Sequence, residues 1–107
     1  MRMAKIKVRK WNLERPIQKF ILVKEAQQVS DLTMRDYIRF LQDFLKSSHN
    51  SIEYDLLEMD VLAYFSKIPD SSPARYNRPF QYINAFLNWM VDENYIPRSP
   101  IKAHQSP

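Results

Sequence analysis

Ser30-Asp31-Leu32-Thr33-Met34-Arg35-Asp36-Tyr37-Ile38-Arg39-Phe40-Leu41-Gln42-Asp43-Phe44-Leu45-Lys46 is the stretch that decides the fold. Met34, Tyr37, Ile38, Leu41, Phe44 and Leu45 recur at the spacing of a helix that buries one face. Ser30 or Asp31 can cap it, because their side-chain oxygens accept from the free backbone N–H groups of a first turn. Ser47-Ser48-His49-Asn50-Ser51 is a polar stop.

Helical spacing continues on both sides. Upstream, Pro16 suits a first turn, and Ile17, Phe20, Ile21 and Lys24 follow, which predicts a helix over 16–28. The β-branched character of Ile21-Leu22-Val23 keeps a strand open there. Downstream, a shorter helix is expected over 57–67, with Val61, Leu62, Tyr64, Phe65 and Ile68 inward. A turn at Pro69-Asp70-Ser71-Ser72 leads to a fourth helix from Ser72-Pro73 to about Asn94. Its stripe is Tyr76, Phe80, Ile83, Leu87 and Met90, widened by Phe86 and Trp89. Pro79 lacks a backbone donor and crowds the preceding turn, so this helix kinks there or begins near Arg78.

The expected architecture is therefore an all-α, four-helix bundle. Arg2, Lys5, Lys7, Arg9 and Lys10, alternating with Ile6 and Val8, leave a short strand open near the start. No second strand-like segment exists to pair with it, so residues 1–13 are expected to be a basic arm ahead of a helical domain over 14–96. Residues 97–107 carry prolines without periodicity and are expected to be a linker.

Composition narrows the function. With 45% hydrophobic residues, the 107-residue chain can bury one core and is not a disordered segment. Glycine is absent, which excludes phosphate-cradling and dinucleotide-binding glycine loops. Helix stops must then use other residues in the left-handed conformation, and Asn50 and Asn94 stand where such stops are needed. Cysteine is absent, so no disulfide and no cysteine metal site can form, which fits a cytoplasmic location. No apolar run approaches the roughly 20 residues of a membrane span. A net charge of +4 favours an anionic partner, most commonly nucleic acid.

Catalytic chemistry is hard to place. His49 and His104 fall in loop or tail and start no metal-type spacing. Glu53, Asp55, Glu58 and Asp60 could be paired carboxylates for acid–base work. They fit better as favourable charge near the N-terminal end of the third helix. Without glycine there is no nucleophile elbow. We therefore expect neither enzymatic activity nor a cofactor or metal from this chain. The aromatic residues fall at core spacing and read as packing rather than base-stacking.

The polar faces are more informative. Arg35, Arg39, Gln42 and Lys46 share one stripe of the second helix. Asp36 and Asp43 lie on another edge. On the fourth helix, Arg75, Asn77, Arg78, Gln81 and Asn84 cluster, Asn88 continues the strip, and no acidic residue interrupts 71–91. Arginine and lysine can follow a phosphate backbone, and Arg, Asn and Gln can pair with base edges in the major groove. The N-terminal amides of the fourth helix favour a phosphate near Ser72. A plain solvated face is the competing reading for both strips.

The order of segments resembles a known family. Ser30 through Tyr37, followed by Phe40-Leu41 and Phe44-Leu45, is similar to the first helical signature of the core-binding (SAM-like) domain of tyrosine recombinases, the phage integrase family. Leu57 through Phe65, Ser72 through Met90, and the exit Asn94-Tyr95-Ile96-Pro97-Arg98-Ser99-Pro100 resemble its later segments, over roughly 14–102. Pro79 departs from the family's uninterrupted helix, and Asn94 replaces its common glycine.

The resemblance implies the non-catalytic half of a clamp on double-stranded DNA, serving integration or recombination, with further recombinase protomers as partners. The family's catalytic domain follows this one, and no H-x-x-R element occurs here, so Tyr37, Tyr64 and Tyr82 are not expected to be nucleophiles. Matching positions point to Thr33, Arg35, Arg39, Arg75, Arg78 and Gln81 as DNA contacts. The strips themselves add Lys46 and Asn77. The alternative is a helical protein–protein interaction module, suggested by consecutive Phe20-Ile21-Leu22-Val23.

Overall fold

The computed structural model describes residues 12–68 and 73–101, with α4 side chains described from Arg78 onward. Among these residues there are four helices and no strand: α1 Glu14–Ala26, α2 Asp31–Ser47, α3 Tyr54–Ser66 and α4 Pro73–Asp92. The all-helical, four-helix expectation holds. Residues 1–11, the turn at 69–72 and residues 102–107 lie outside the described residues, and with them most of the basic arm, Ser72, His104 and the end of the expected linker.

α1 begins two residues before Pro16, and every backbone donor of its first turn is accounted for. Leu13 N and Glu14 N donate to Asn50 Oδ1 at 2.9 and 3.1 Å, and Arg15 N donates to Asn12 Oδ1 at 3.0 Å. Pro16 has no N–H to satisfy, and Ile17 N already reaches Leu13 O. Asn50 has φ 52, so one residue both turns the chain after α2 and caps α1 from 37 positions away.

The helix ends show how a chain without glycine stops. α1 closes with Gln28 at φ 59, where Gln28 N donates to Glu25 O and Val29 N to Lys24 O. α4 closes with Asn94 at φ 66, through Asn94 N to Val91 O and Tyr95 N to Met90 O. Both are Schellman motifs. Asn94 is the expected left-handed stop, whereas Asn50 is left-handed in the loop beyond α2, which itself ends at an extended Ser48, and Gln28 is an addition that composition did not suggest. α2 is capped by Ser30, whose Oγ accepts from Thr33 N at 3.2 Å.

α2 packs against α1, α3 and α4, and α1 also packs on α4. The core draws Leu13, Ile17 and Phe20 from α1 and its cap, Tyr37, Leu41 and Phe44 from α2, Leu57, Val61 and Tyr64 from α3, and Ile83, Phe86, Leu87 and Met90 from α4. Phe20 sits at the centre, 5.4 Å from Tyr37, 5.3 Å from Phe86 and 5.3 Å from Trp89 between ring centroids.

Two details differ from the sequence expectation, and one open alternative is decided. Ile38 and Leu62, placed on buried stripes, are 43% and 42% exposed, because each stands at the edge of a stripe that its neighbours do not cover. α4 starts at Pro73 and runs through the buried Pro79, so the alternative start near Arg78 is not taken. Residues 97–101 were expected to lead away from the bundle, yet Ser99, Pro100 and Ile101 are buried and Ile101 joins the core.

Replacing Asn50 with Ala removes the α1 cap and places a Cβ-bearing residue with no local hydrogen bond in the left-handed region. It is expected to cost about 2 kcal/mol in urea unfolding, whereas Asn50→Asp, which keeps the acceptor, costs less than about 1. Gln28→Gly relieves the same conformational cost without losing a contact and is expected to stabilise by about 1 kcal/mol in the same assay.

Candidate nucleic-acid interface

α2 turns its core face toward α1 and the centre of the bundle and leaves Arg35, Arg39, Gln42 and Lys46 exposed on its outer ridge. The amphipathic spacing does this alone: with Tyr37, Leu41 and Phe44 inward, residues at 35, 39, 42 and 46 must point out. Arg39, Gln42 and Lys46 line a shallow recess of about 310 Å³ together with Phe40 and Asp43. The Arg39 guanidinium lies 5.5 Å from the Phe40 ring centroid.

α4 lies beside this ridge. Arg78, Gln81 and Asn88 are exposed and Asn84 is half-buried. Arg75 and Asn77 belong to the first turns of α4, and their side chains lie outside the described residues. The two helices are joined at one junction. Tyr82 Oη donates to Asp36 Oδ2 at 3.2 Å, and Arg78 Nη2 stands 3.8 Å from the same oxygen. The Tyr82 ring meets Tyr37 edge-on at 4.7 Å and stacks on Phe40 at 5.7 Å. The α2 and α4 strips thus flank a common seam.

Thr33 does not join them. It is two residues from Arg35 and so stands on the opposite side of α2. Its hydroxyl accepts from Ser30 Oγ at 3.0 Å as part of the helix cap. The absence of acidic residues over 71–91 also does not carry into space, because Asp36 comes from α2 to meet Arg78.

Carboxylates elsewhere hold helices together. Asp43 Oδ2 accepts from Tyr64 Oη at 3.0 Å, linking α2 to α3. Asp60 is not at the helix N-terminus where favourable charge was expected. It is buried in the body of α3, accepting from His49 N at 2.9 Å and standing 2.7 Å from His49 Nδ1. His49 is exposed on its other side, so it is an anchored loop histidine rather than a freely solvated one. Glu93, just past the end of α4 where the helix dipole disfavours negative charge, stands 3.5 Å from Lys19. Among the described residues no group of three or more His, Asp or Glu is placed to hold a metal ion. No helix among them is long and apolar enough to cross a membrane.

Among the described residues three tyrosines are shifted. Burial pushes the Tyr37 hydroxyl up. Burial also raises Tyr64, and hydrogen bonding to Asp43 takes it well above the ordinary tyrosine value. Tyr82 is raised by burial and then by Asp36, with Arg78 opposing. All three stay protonated through the neutral range, Tyr64 and Tyr82 as hydrogen-bond donors and Tyr37 as a packing group.

No family model, curated protein or solved structure matches this chain.

Sequence alone could not pair Asp36 with Tyr82, 46 positions away, or Asp43 with Tyr64. An acidic residue beside the buried stripe of α2 was the only local hint.

The raised tyrosines bind their protons more tightly in the folded chain than in the unfolded one. Their stabilisation is complete below the ordinary value of 10.0 and is lost as pH climbs above it. Unfolding followed by circular dichroism is expected to need less urea as pH passes 10, with absorbance at 295 nm lagging a normal tyrosine titration. Tyr64→Phe should flatten that loss while costing about 1 kcal/mol at pH 7.

Proposed function

We propose that this chain binds duplex DNA through the outer faces of α2 and α4, as the non-catalytic clamp half of a site-specific tyrosine recombinase. The observation that carries the DNA reading is the exposure of Arg35, Arg39, Gln42, Lys46, Arg78 and Gln81 along two helices fixed side by side. Cations on such a surface neutralise phosphates and release counterions, which supplies sequence-independent affinity. Gln81, with Asn77 one turn and Arg75 nearly two turns earlier, is of the residue type that reads base edges in the major groove. Lys46 and the Arg39 recess suit backbone contact rather than base reading. The recombinase part of the proposal rests on the order of segments that resembles core-binding domains, and its expected setting is the DNA of a cytoplasm with other protomers bound alongside.

A second reading, a helical protein-interaction module, draws on Leu22, Leu32 and Met59, which are 64%, 62% and 61% exposed. Sedimentation at high concentration separates it from the first: self-association without DNA, relieved by Leu22→Ser, favours the interaction reading.

Fluorescence anisotropy of a labelled random duplex across a salt titration tests the DNA reading. Binding is expected to weaken linearly in log–log form, with dissociation constants on the order of 10⁻⁴ to 10⁻⁶ M at physiological salt. Arg35→Ala combined with Arg39→Ala should lower the slope by about 2. A slope that survives both substitutions places the binding surface elsewhere.

A further inference from the structure

Two carboxylates are buried among the described residues, Asp36 and Asp60. Asp60 is occupied with the His49 loop. Asp36 faces the seam between the two basic strips. Its side chain is 11% exposed, against 62% for its ion-pair partner Arg78. A buried carboxylate is costly unless paired. Tyr82 supplies a neutral hydrogen bond, and Arg78 supplies the positive charge.

Asp36 cannot retreat when an anion arrives. It belongs to the body of α2, and Tyr82, which covers it, is held between Tyr37 and Phe40. Arg78 is the movable partner: its guanidinium is mostly in solvent, and at 3.8 Å its contact with Asp36 is loose. A phosphate drawn to Arg78 therefore meets a fixed negative charge well inside the screening length of about 10 Å at 0.1 M salt.

We propose that Asp36 is an electrostatic counterweight built into the α2–α4 face, a positioning residue that acts through Arg78. It cancels part of the Arg78 charge in the free protein and so subtracts from sequence-independent phosphate affinity. Contacts that depend on shape and base edges, such as those open to Gln81, are left in place. The result is a lower non-specific background and a larger ratio of specific to non-specific binding, the quantity that matters when random sites outnumber the target. This inference rests on the duplex-binding reading above.

The test is the same anisotropy titration with Asp36→Asn, which keeps the shape and an acceptor for Tyr82 but removes the charge. Affinity for random duplex at about 50 mM salt is expected to rise roughly 3- to 10-fold, and the salt slope to steepen by about 0.9, one additional phosphate. Arg78→Ala should cancel that gain when combined with Asp36→Asn. Unchanged or weaker binding by Asp36→Asn overturns the counterweight while leaving DNA binding by the native chain intact. No binding by the native chain overturns both. If circular dichroism shows that Asp36→Asn does not fold, Tyr82→Phe decides: it leaves Asp36 leaning on Arg78 alone and is expected to weaken binding about 2-fold, and equal or tighter binding overturns the proposal.

Discussion

Phe20 touches both halves of the bundle. It is 1% exposed and lies edge-on to Tyr37 of α2 and Phe86 of α4, with Trp89 tilted beside it. The Lys24 ammonium covers the same ring at 5.3 Å and the Tyr37 ring at 5.5 Å. Each aromatic pair of this kind adds about 0.5–1.5 kcal/mol beyond the area it buries. The larger effect is geometric. A rigid ring wedged between two helices fixes their separation, and α2 and α4 are the helices that carry the exposed cations. The outer surface inherits its shape from an apolar residue on a third helix.

Inner and outer faces of α2 divide the work cleanly. Tyr37, Leu41 and Phe44 hold the core, while Arg35, Arg39, Gln42 and Lys46 take no part in it. Between them runs an edge with Asp36 and Asp43, each receiving a tyrosine hydroxyl from a neighbouring helix. These two hydrogen bonds set how α3 and α4 lie against α2. They also place negative charge along the margin of the cationic ridge, so the surface potential is narrower than the list of arginines suggests.

Much of this was legible in the residues. The 3.6-residue spacing located all four helices, because each has to bury a face. Ser30 marked a helix start and Asn94 a helix stop, through local backbone chemistry, while Asn50 took the left-handed conformation in the loop past α2 rather than at its end. What stayed hidden was non-local. Nothing near Asn12 or Leu13 announces that Asn50 completes their hydrogen bonds. Asp60 looked like a helix-start charge because its true partner, His49, lies across a loop. Ile96 and Ile101 looked like parts of an exit segment because two isolated apolar residues among prolines show no period, yet both are buried. The exposed cations were legible as a pattern, but their relation to Asp36 depended on how α2 and α4 meet.

The long-range cap on α1 also bears on how the chain comes together. A 13-residue helix is marginal by itself in water, and its first two donors find their acceptor only when residue 50 arrives. Closing that span costs chain entropy before any hydrogen bond repays it. The first turn of α1 is therefore committed late, after α2 and its following loop have formed. Until then those two donors have only water as a partner, so the start of α1 is held by the loop after α2 rather than by its own sequence.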